Sequence, residues 1–216
     1  MASARSAVAA SRPQVVAHRG ASGYRPEHTE SAYRLAIAQG ADVIEPDLVV
    51  TRDGALVVRH ENEVGGTTDI ASRPEFAGRR TVRVIDGERV DGWFTEDFTL
   101  AELKTLRARE RLPDLRPDSA RFDGRDPILT FAEVAALVRS ESRRVGRTLG
   151  LCPEMKHPAH FRSRGLPIEP LMAAALKAEG LDAADAPVLV QCFEVGPLKT
   201  LAGLSRAPRI QLVSLE

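Results

Sequence analysis

Two apolar, β-branched runs constrain this chain more than any other feature: Val15-Val16-Ala17-His18-Arg19-Gly20 and Val43-Ile44-Glu45-Pro46-Asp47-Leu48. Between them lies a loop rich in glycine and proline. An amphipathic run from Ser31 to Gln39 follows, with Thr29 as a good N-cap and Gly40 closing it. Strand, loop, helix and strand make a βαβ opening, so the chain folds as a parallel sheet or barrel. Each run delivers ionisable side chains at or just past its end, where an α/β barrel presents its chemistry. The 216 residues, 43% hydrophobic and 28% charged, suffice for the core of one domain.

Glu45 and Asp47 stand two apart, so on a strand both carboxylates face the same side. Such a pair repels itself unless a cation lies between, and carboxylate oxygens suit hard divalent ions such as Ca²⁺ or Mg²⁺. Taken alone, each run has a plainer reading. A His-Arg pair after a strand more often caps a helix or joins a surface ion pair, and two carboxylates usually mark a solvated strand face. The balance shifts with a third carboxylate in Thr148-Leu149-Gly150-Leu151-Cys152-Pro153-Glu154-Met155-Lys156, where Glu154 and Lys156 again share one face.

Thr51-Arg52-Asp53-Gly54 separates Leu48–Val50 from Leu56–His60, and Asp-Gly between apolar runs signals a hairpin. With Asp53 and Gly54 at the turn centre, Arg52 pairs with Ala55 and Asp47 lies opposite His60. Opposed side chains sit about 4.5–5.5 Å apart at Cβ. A parallel strand reached by an unusually short crossover would end at the same rim. Either route puts His60 beside the carboxylates.

The remaining elements are read in order. Glu63 to Phe98 is irregular, an insertion holding the single Trp93, and long loops on barrels are usually functional or mobile. Thr99 starts a helix to Leu106 with Glu102 completing a capping box, and Thr130 starts another, Phe131 to Ser142, with Glu133 in the same role. Helices Pro170–Glu179 and Gly196–Leu204 alternate with strands Val188–Phe193 and Ile210–Leu215. Cys152 and Cys192 lie in apolar runs and read as small core residues rather than a disulfide or metal site. Residues 1–13 read as a flexible leader and residues 14–216 as one domain. Arg5 and Arg12 interrupt the Ala- and Ser-rich start, which leaves no apolar core for an export signal. No stretch is long enough to span a bilayer, and a net charge of zero gives no field that would attract nucleic acid or an anionic membrane. The expected partner is a small molecule; oligomeric state and localisation are not legible.

His18-Arg19-Gly20, Pro26-Glu27-His28-Thr29, Glu45-x-Asp47, Thr51-x-Asp53-Gly54, His60, Glu154-x-Lys156 and Gln191-Cys192-Phe193 occur in the order of one family. From Val15 to about Leu215 the chain resembles the glycerophosphodiester phosphodiesterases of the PLC-like phosphodiesterase superfamily, and within them the bacterial periplasmic branch. The resemblance implies a TIM-type barrel in which Glu45, Asp47 and Glu154 bind one divalent cation, with Ca²⁺ preferred to Mg²⁺. It also implies that His18 and His60 are the acid/base pair and that Arg19 and Lys156 bind the phosphate. The family usually has Asp after its second histidine, whereas this chain has Glu61.

The residues support those roles physically. Attack on a phosphodiester builds charge on the non-bridging oxygens, which one cation with Arg19 and Lys156 would offset. Imidazoles with ordinary pKa values near 6.5 serve as base and acid around neutrality. Gln191, at a strand end, is a candidate substrate contact. Glu27 and His28 are read as holding the loop that carries Arg19, and His157 and His160 as solvated loop residues. The expected reaction is metal-dependent hydrolysis of a glycerophosphodiester to glycerol 3-phosphate and an alcohol. The alternatives are another PLC-like phosphodiesterase, of phospholipase D type or cleaving phosphoinositides, and a non-catalytic phosphate-binding module. Six strands are counted, where such a barrel closes with eight. The chain is therefore expected to be a segment lacking the last two strands, with a long insertion after the third.

Overall fold

The computed structural model describes residues 13–214, so the leader, Pro13 apart, and Leu215, the last residue of the expected final strand, lie outside the described residues. The first half of the fold follows the sequence closely. β1 (Val16–His18) leads through the glycine and proline loop into α1 (Glu30–Ala38), whose N-cap Thr29 accepts from the backbone of Ala32. β2 (Val43–Glu45) and β3 (Asp47–Val50) then form one long strand divided at Pro46.

β7 (Gly150–Leu151) and β8 (Glu154–Met155) divide in the same way at Cys152-Pro153. The row of donors from the second long strand to the first nevertheless runs past both divisions. Gly150, Cys152, Glu154 and Lys156 donate in turn to the carbonyls of Asp42, Ile44, Pro46 and Leu48 at 2.8–3.0 Å. Pro46 gives its carbonyl to this ladder but has no N–H to return, and the strand divides there. β9 (Val190–Cys192) and β10 (Arg209–Gln211) extend the parallel sheet beyond β8.

On the other edge, β1 pairs in parallel with β2, and β4 (Leu56–Val58) pairs antiparallel with β3. Their ends meet beside Pro46. Reading Leu56–His60 as one of six barrel strands is therefore corrected. Among the described residues there are five parallel strands, and β4 is the return arm of a hairpin, its far edge bonded to Leu129.

The hairpin register differs by one residue from a two-residue turn. Thr51 N–H donates to Ala55 O at 3.0 Å, which makes a three-residue loop ending in Gly54 at φ +79°, a left-handed position that glycine adopts without cost. Asp53 is drawn out of the turn centre because its Oδ1 accepts from Thr51 Oγ1 at 2.6 Å and from Leu100 N–H at 2.9 Å. The backbone facing Asp47 is consequently Arg59, whose N–H donates to Asp47 O at 3.0 Å. His60 follows immediately.

The insertion is more regular than its composition suggests. β5 (Thr81–Ile85) and β6 (Glu88–Gly92) form an antiparallel hairpin turning at Asp86-Gly87, both with positive φ. That Asp-Gly is the same signal that marks the earlier hairpin. α2 (Leu100–Leu103) and α4 (Phe131–Val145) start with the expected capping boxes of Thr99 with Glu102 and Thr130 with Glu133. α2 ends three residues short of the expected Leu106 and α4 runs three past Ser142. A short α3 (Pro117–Ala120) sits in the loop between them. α5 (Pro158–Ser163), α6 (Ile168–Ala178) and α7 (Val195–Ala202) complete the alternation of strand and helix. Ile44, Leu48 and Val49 of the long strand are buried in one apolar cluster with Tyr33, Phe98, Phe131 and Met172. Fully burying one such side chain stabilises by about 1.5–3 kcal/mol. Among the described residues, no helix is long and apolar enough to cross a membrane.

Candidate active site

The break at Pro46 leaves Glu45 and Asp47 on one face, and the parallel register sets Asp47 opposite Glu154. One carboxylate oxygen from each of the three lies within 4.8 Å of the others, in a setting where they are only 2%, 0% and 6% exposed. Burial and the charge of Asp47 push Glu45 up to about 8. Burial likewise raises Glu154 to about 7, against the pull of Lys156 and with a further push from Asp47. Burial would raise Asp47 too, but the hydrogen bond and charge of His28, together with Lys156, hold it below the usual carboxylate range. Asp47 Oδ1 is buried and has no hydrogen-bond partner. Three crowded carboxylates and an orphaned oxygen are the donor set that a hard divalent cation would satisfy.

Two of these carboxylates, Glu45 and Asp47, are held from behind. Glu45 Oε2 accepts from Arg19 N–H at 2.9 Å and its Oε1 from the Gln191 amide at 2.9 Å. Gln191, expected as a substrate contact, thus lies against the Glu45 carboxylate. Asp47 Oδ2 meets His28 Nε2 at 2.9 Å, and His28 Nδ1 meets Tyr33 Oη at 2.9 Å, with both rings fully buried. His28 thus holds more than its own loop.

The turn after β1 supplies the next groups. Arg19 and Gly20 both adopt positive φ, 60° and 81°, and a Cβ on Gly20 would stand 2.9 Å from the Ala32 backbone. This close approach of the turn to α1 admits no side chain at position 20. Arg19 Nε lies 3.5 Å from Asp47 Oδ2 and Nη1 lies 3.4 Å from Glu27 Oε2. His18 sits in register with Glu45, and partial burial with the Arg19 charge holds its imidazole below its ordinary range. From the opposite direction His60 brings Nε2 to 3.2 Å from Lys156 Nζ, which in turn lies 3.0 Å from Glu154 Oε1. The expected residues therefore converge, with His60 linked to the carboxylates through Lys156.

Three features have no counterpart in the sequence reading. His60 Nδ1 contacts Glu61 Oε1 at 2.5 Å, and Glu61 in turn bonds Arg111. His157 and His160, expected to be solvated, are paired with the insertion: His157 Nδ1 lies 2.7 Å from Asp86 Oδ2, and His160 Nε2 lies 2.6 Å from Glu96 Oε1. The β5–β6 tip thereby docks beside Lys156, over a cavity of about 230 Å³ that Lys156, His157, Phe193 and Glu194 also line. The Asp86-Gly87 turn could have revealed the hairpin. No local signal marks Arg111. A larger, mainly apolar cavity of about 640 Å³ lies at the opposite ends of the strands, around Val16, Val43 and Leu151, away from these groups. Cys152 and Cys192 are free and buried, as expected, and burial pushes both thiols up to about 12.

Residues 18–216 match the model of the glycerophosphoryl diester phosphodiesterase family. A glycerophosphodiester phosphodiesterase of Arabidopsis thaliana is 34% identical over 215 residues, covering 94% of this chain and 56% of its own length. The glycerophosphodiester phosphodiesterase of Haemophilus influenzae is 33% identical over 195 residues, with 87% and 51% covered. The chain thus spans about half the length of the curated relatives it matches. Among solved structures, an Oleispira antarctica phosphodiesterase in complex with the product sn-glycerol-3-phosphate superposes with a TM-score of 0.64 at 25% identity, covering 94% of this chain and 66% of that one. A glycerophosphodiester phosphodiesterase of Agrobacterium tumefaciens gives 0.62 at 22% identity, covering 89% and 63%.

Proposed function

The chain belongs to the glycerophosphoryl diester phosphodiesterase family and has its TIM-type α/β fold, and on that premise we propose that it hydrolyses glycerophosphodiesters to glycerol 3-phosphate and an alcohol. The observation that carries this reading is the convergence of Glu45, Asp47 and Glu154 beside Lys156 and the two histidines. Glycerol 3-phosphate bound to the Oleispira relative supports the substrate class.

Glu45, Asp47 and Glu154 would hold one divalent cation, Ca²⁺ in preference to Mg²⁺. Such an ion, when bound, polarises a phosphoryl oxygen and offsets its charge. Arg19 and Lys156 stand beside the carboxylates, where their positive charge meets a diester anion and the further charge that builds during attack. His18 and His60 come from strands approaching from opposite directions, which suits one to remove the proton of the attacking hydroxyl or water and the other to supply the alcohol's proton. Gln191 keeps Glu45 turned toward the site.

The test is hydrolysis of several glycerophosphodiesters with and without a chelator, on the wild type and on Glu45→Ala and Asp47→Ala. Chelator-sensitive activity is expected in the wild type and none in either variant, with far-UV circular dichroism unchanged. Full activity in either variant overturns the assignment. Binding of glycerophosphodiester without turnover in the presence of Ca²⁺ or Mg²⁺ would favour a phosphate-binding module.

A further inference from the structure

Arg111 lies in the loop between α2 and α3 and makes four hydrogen bonds to two carboxylates. Its Nε donates to Glu27 Oε2 at 2.9 Å and its Nη2 to Glu27 Oε1 at 2.7 Å. Toward Glu61, Nη1 reaches Oε1 at 2.9 Å and Nη2 reaches Oε2 at 2.5 Å. Only a planar guanidinium can grip two carboxylates bidentately at once; a lysine ammonium is a point donor without that fork.

Each carboxylate also faces a group of the proposed site. Glu27 contacts Arg19 Nη1, and Glu61 contacts His60 Nδ1. An ionised carboxylate only accepts, so His60 Nδ1 must carry the hydrogen when the ring is neutral. Nε2 is then the lone-pair nitrogen, consistent with its 3.2 Å approach to the donor-only Lys156 ammonium. Glu27 is held at about 2 because the Arg111 hydrogen bonds and the nearby His28 and Arg111 charges outweigh the burial that would raise it. Against the burial that would raise it, Glu61 is likewise held below the usual carboxylate range by its hydrogen bonds to His60 and Arg111, so both acceptors stay ionised across the range in which histidine titrates.

We propose that Arg111 is a positioning residue: by gripping Glu27 and Glu61 together it ties the turn carrying Arg19 to the strand end carrying His60, and fixes neutral His60 as the Nδ1–H tautomer with Nε2 presented to the reaction. The proposal rests on the phosphodiesterase reading only for the use made of Nε2. The clamp and the tautomer stand on geometry.

The experiment is long-range ¹H–¹⁵N correlation spectroscopy of the imidazoles in the full chain, above the pH at which they are protonated, with His60 assigned by comparison with His60→Ala. The wild type should show His60 as a single Nδ1–H tautomer. Arg111→Gln should convert it to a mixture with unchanged far-UV circular dichroism and unchanged calorimetric affinity for Ca²⁺. Arg111→Lys should behave as Arg111→Gln rather than restore the wild-type signal. Should Arg111→Gln not fold, Glu61→Ala, a change at a partly exposed side chain, tests the same link and should also give the mixture. A single Nδ1–H tautomer persisting in the folded Arg111→Gln, or in Glu61→Ala if that protein alone folds, overturns the proposal. In turnover, Arg111→Gln should lose roughly a hundredfold, the scale set by a small misplacement of a reacting group. Its loss should appear in both kcat and KM, whereas Glu61→Ala should act on kcat and Glu27→Gln on KM. A tautomer shift in a chain without phosphodiesterase activity would refute the functional reading and leave the clamp intact.

Discussion

Replacing Glu27 by glutamine should remove one limb of the acid dependence of this protein's stability. Glu27 is 3% exposed, and its carboxyl is held at about 2 against an ordinary value of 4.5. The difference of about 2.5 pH units, at about 1.4 kcal/mol each, makes the ionised carboxylate worth about 3 kcal/mol to the folded state. Because the folded value is the depressed one, this contribution is complete above about 4.5 and is lost as pH falls from there toward 2. Urea unfolding followed by circular dichroism should therefore find Glu27→Gln less stable than wild type by about 3 kcal/mol at neutral pH, with the gap closing on acidification. Glu61 is depressed through the same arginine and through His60, so the variant's own acid dependence should become shallower rather than vanish. Wild-type and variant stabilities that fall in parallel from neutrality to acid would refute the reasoning, since Glu27 would then not be the titrating group.

His18→Ala and His60→Ala should each lower turnover by about 10²- to 10⁴-fold, with Ca²⁺ affinity unchanged by calorimetry; loss of cation binding instead would mark the residue as a ligand. His28→Gln withdraws the ring that holds Asp47 Oδ2 and should weaken cation binding by roughly 10- to 100-fold while the fold persists, and unaltered affinity would show that Asp47 is positioned without it. Cys152 and Cys192, buried and with thiols raised to about 12, should react with a thiol reagent only as fast as the chain unfolds; rapid modification of the native protein would contradict their burial.

What the sequence determined by itself was whatever depends on near neighbours along the chain. Thr29, Thr99 and Thr130 cap helices with residues three positions away. Glu45 and Asp47 share a face because a strand has a period of two, and Asp53-Gly54 turns a hairpin because its backbone allows little else. His18, His60, Glu154 and Lys156 were legible for the same reason, since each stands at the end of an apolar run. Tertiary structure decided what depends on residues far apart. The hairpin register shifted by one because Asp53 was captured by the start of α2, 47 positions away. His157 and His160 left solvent because Asp86 at the β5–β6 turn, 71 residues earlier, and Glu96 just after that hairpin, 64 residues earlier, fold onto them. Arg111, one arginine among many in a loop without periodicity, gained its role only when Glu27 and Glu61, 84 and 50 residues away, arrived on either side of its guanidinium. A charge's partners are fixed by distance in space, and spacing along a chain encodes that distance only within a few turns of regular backbone.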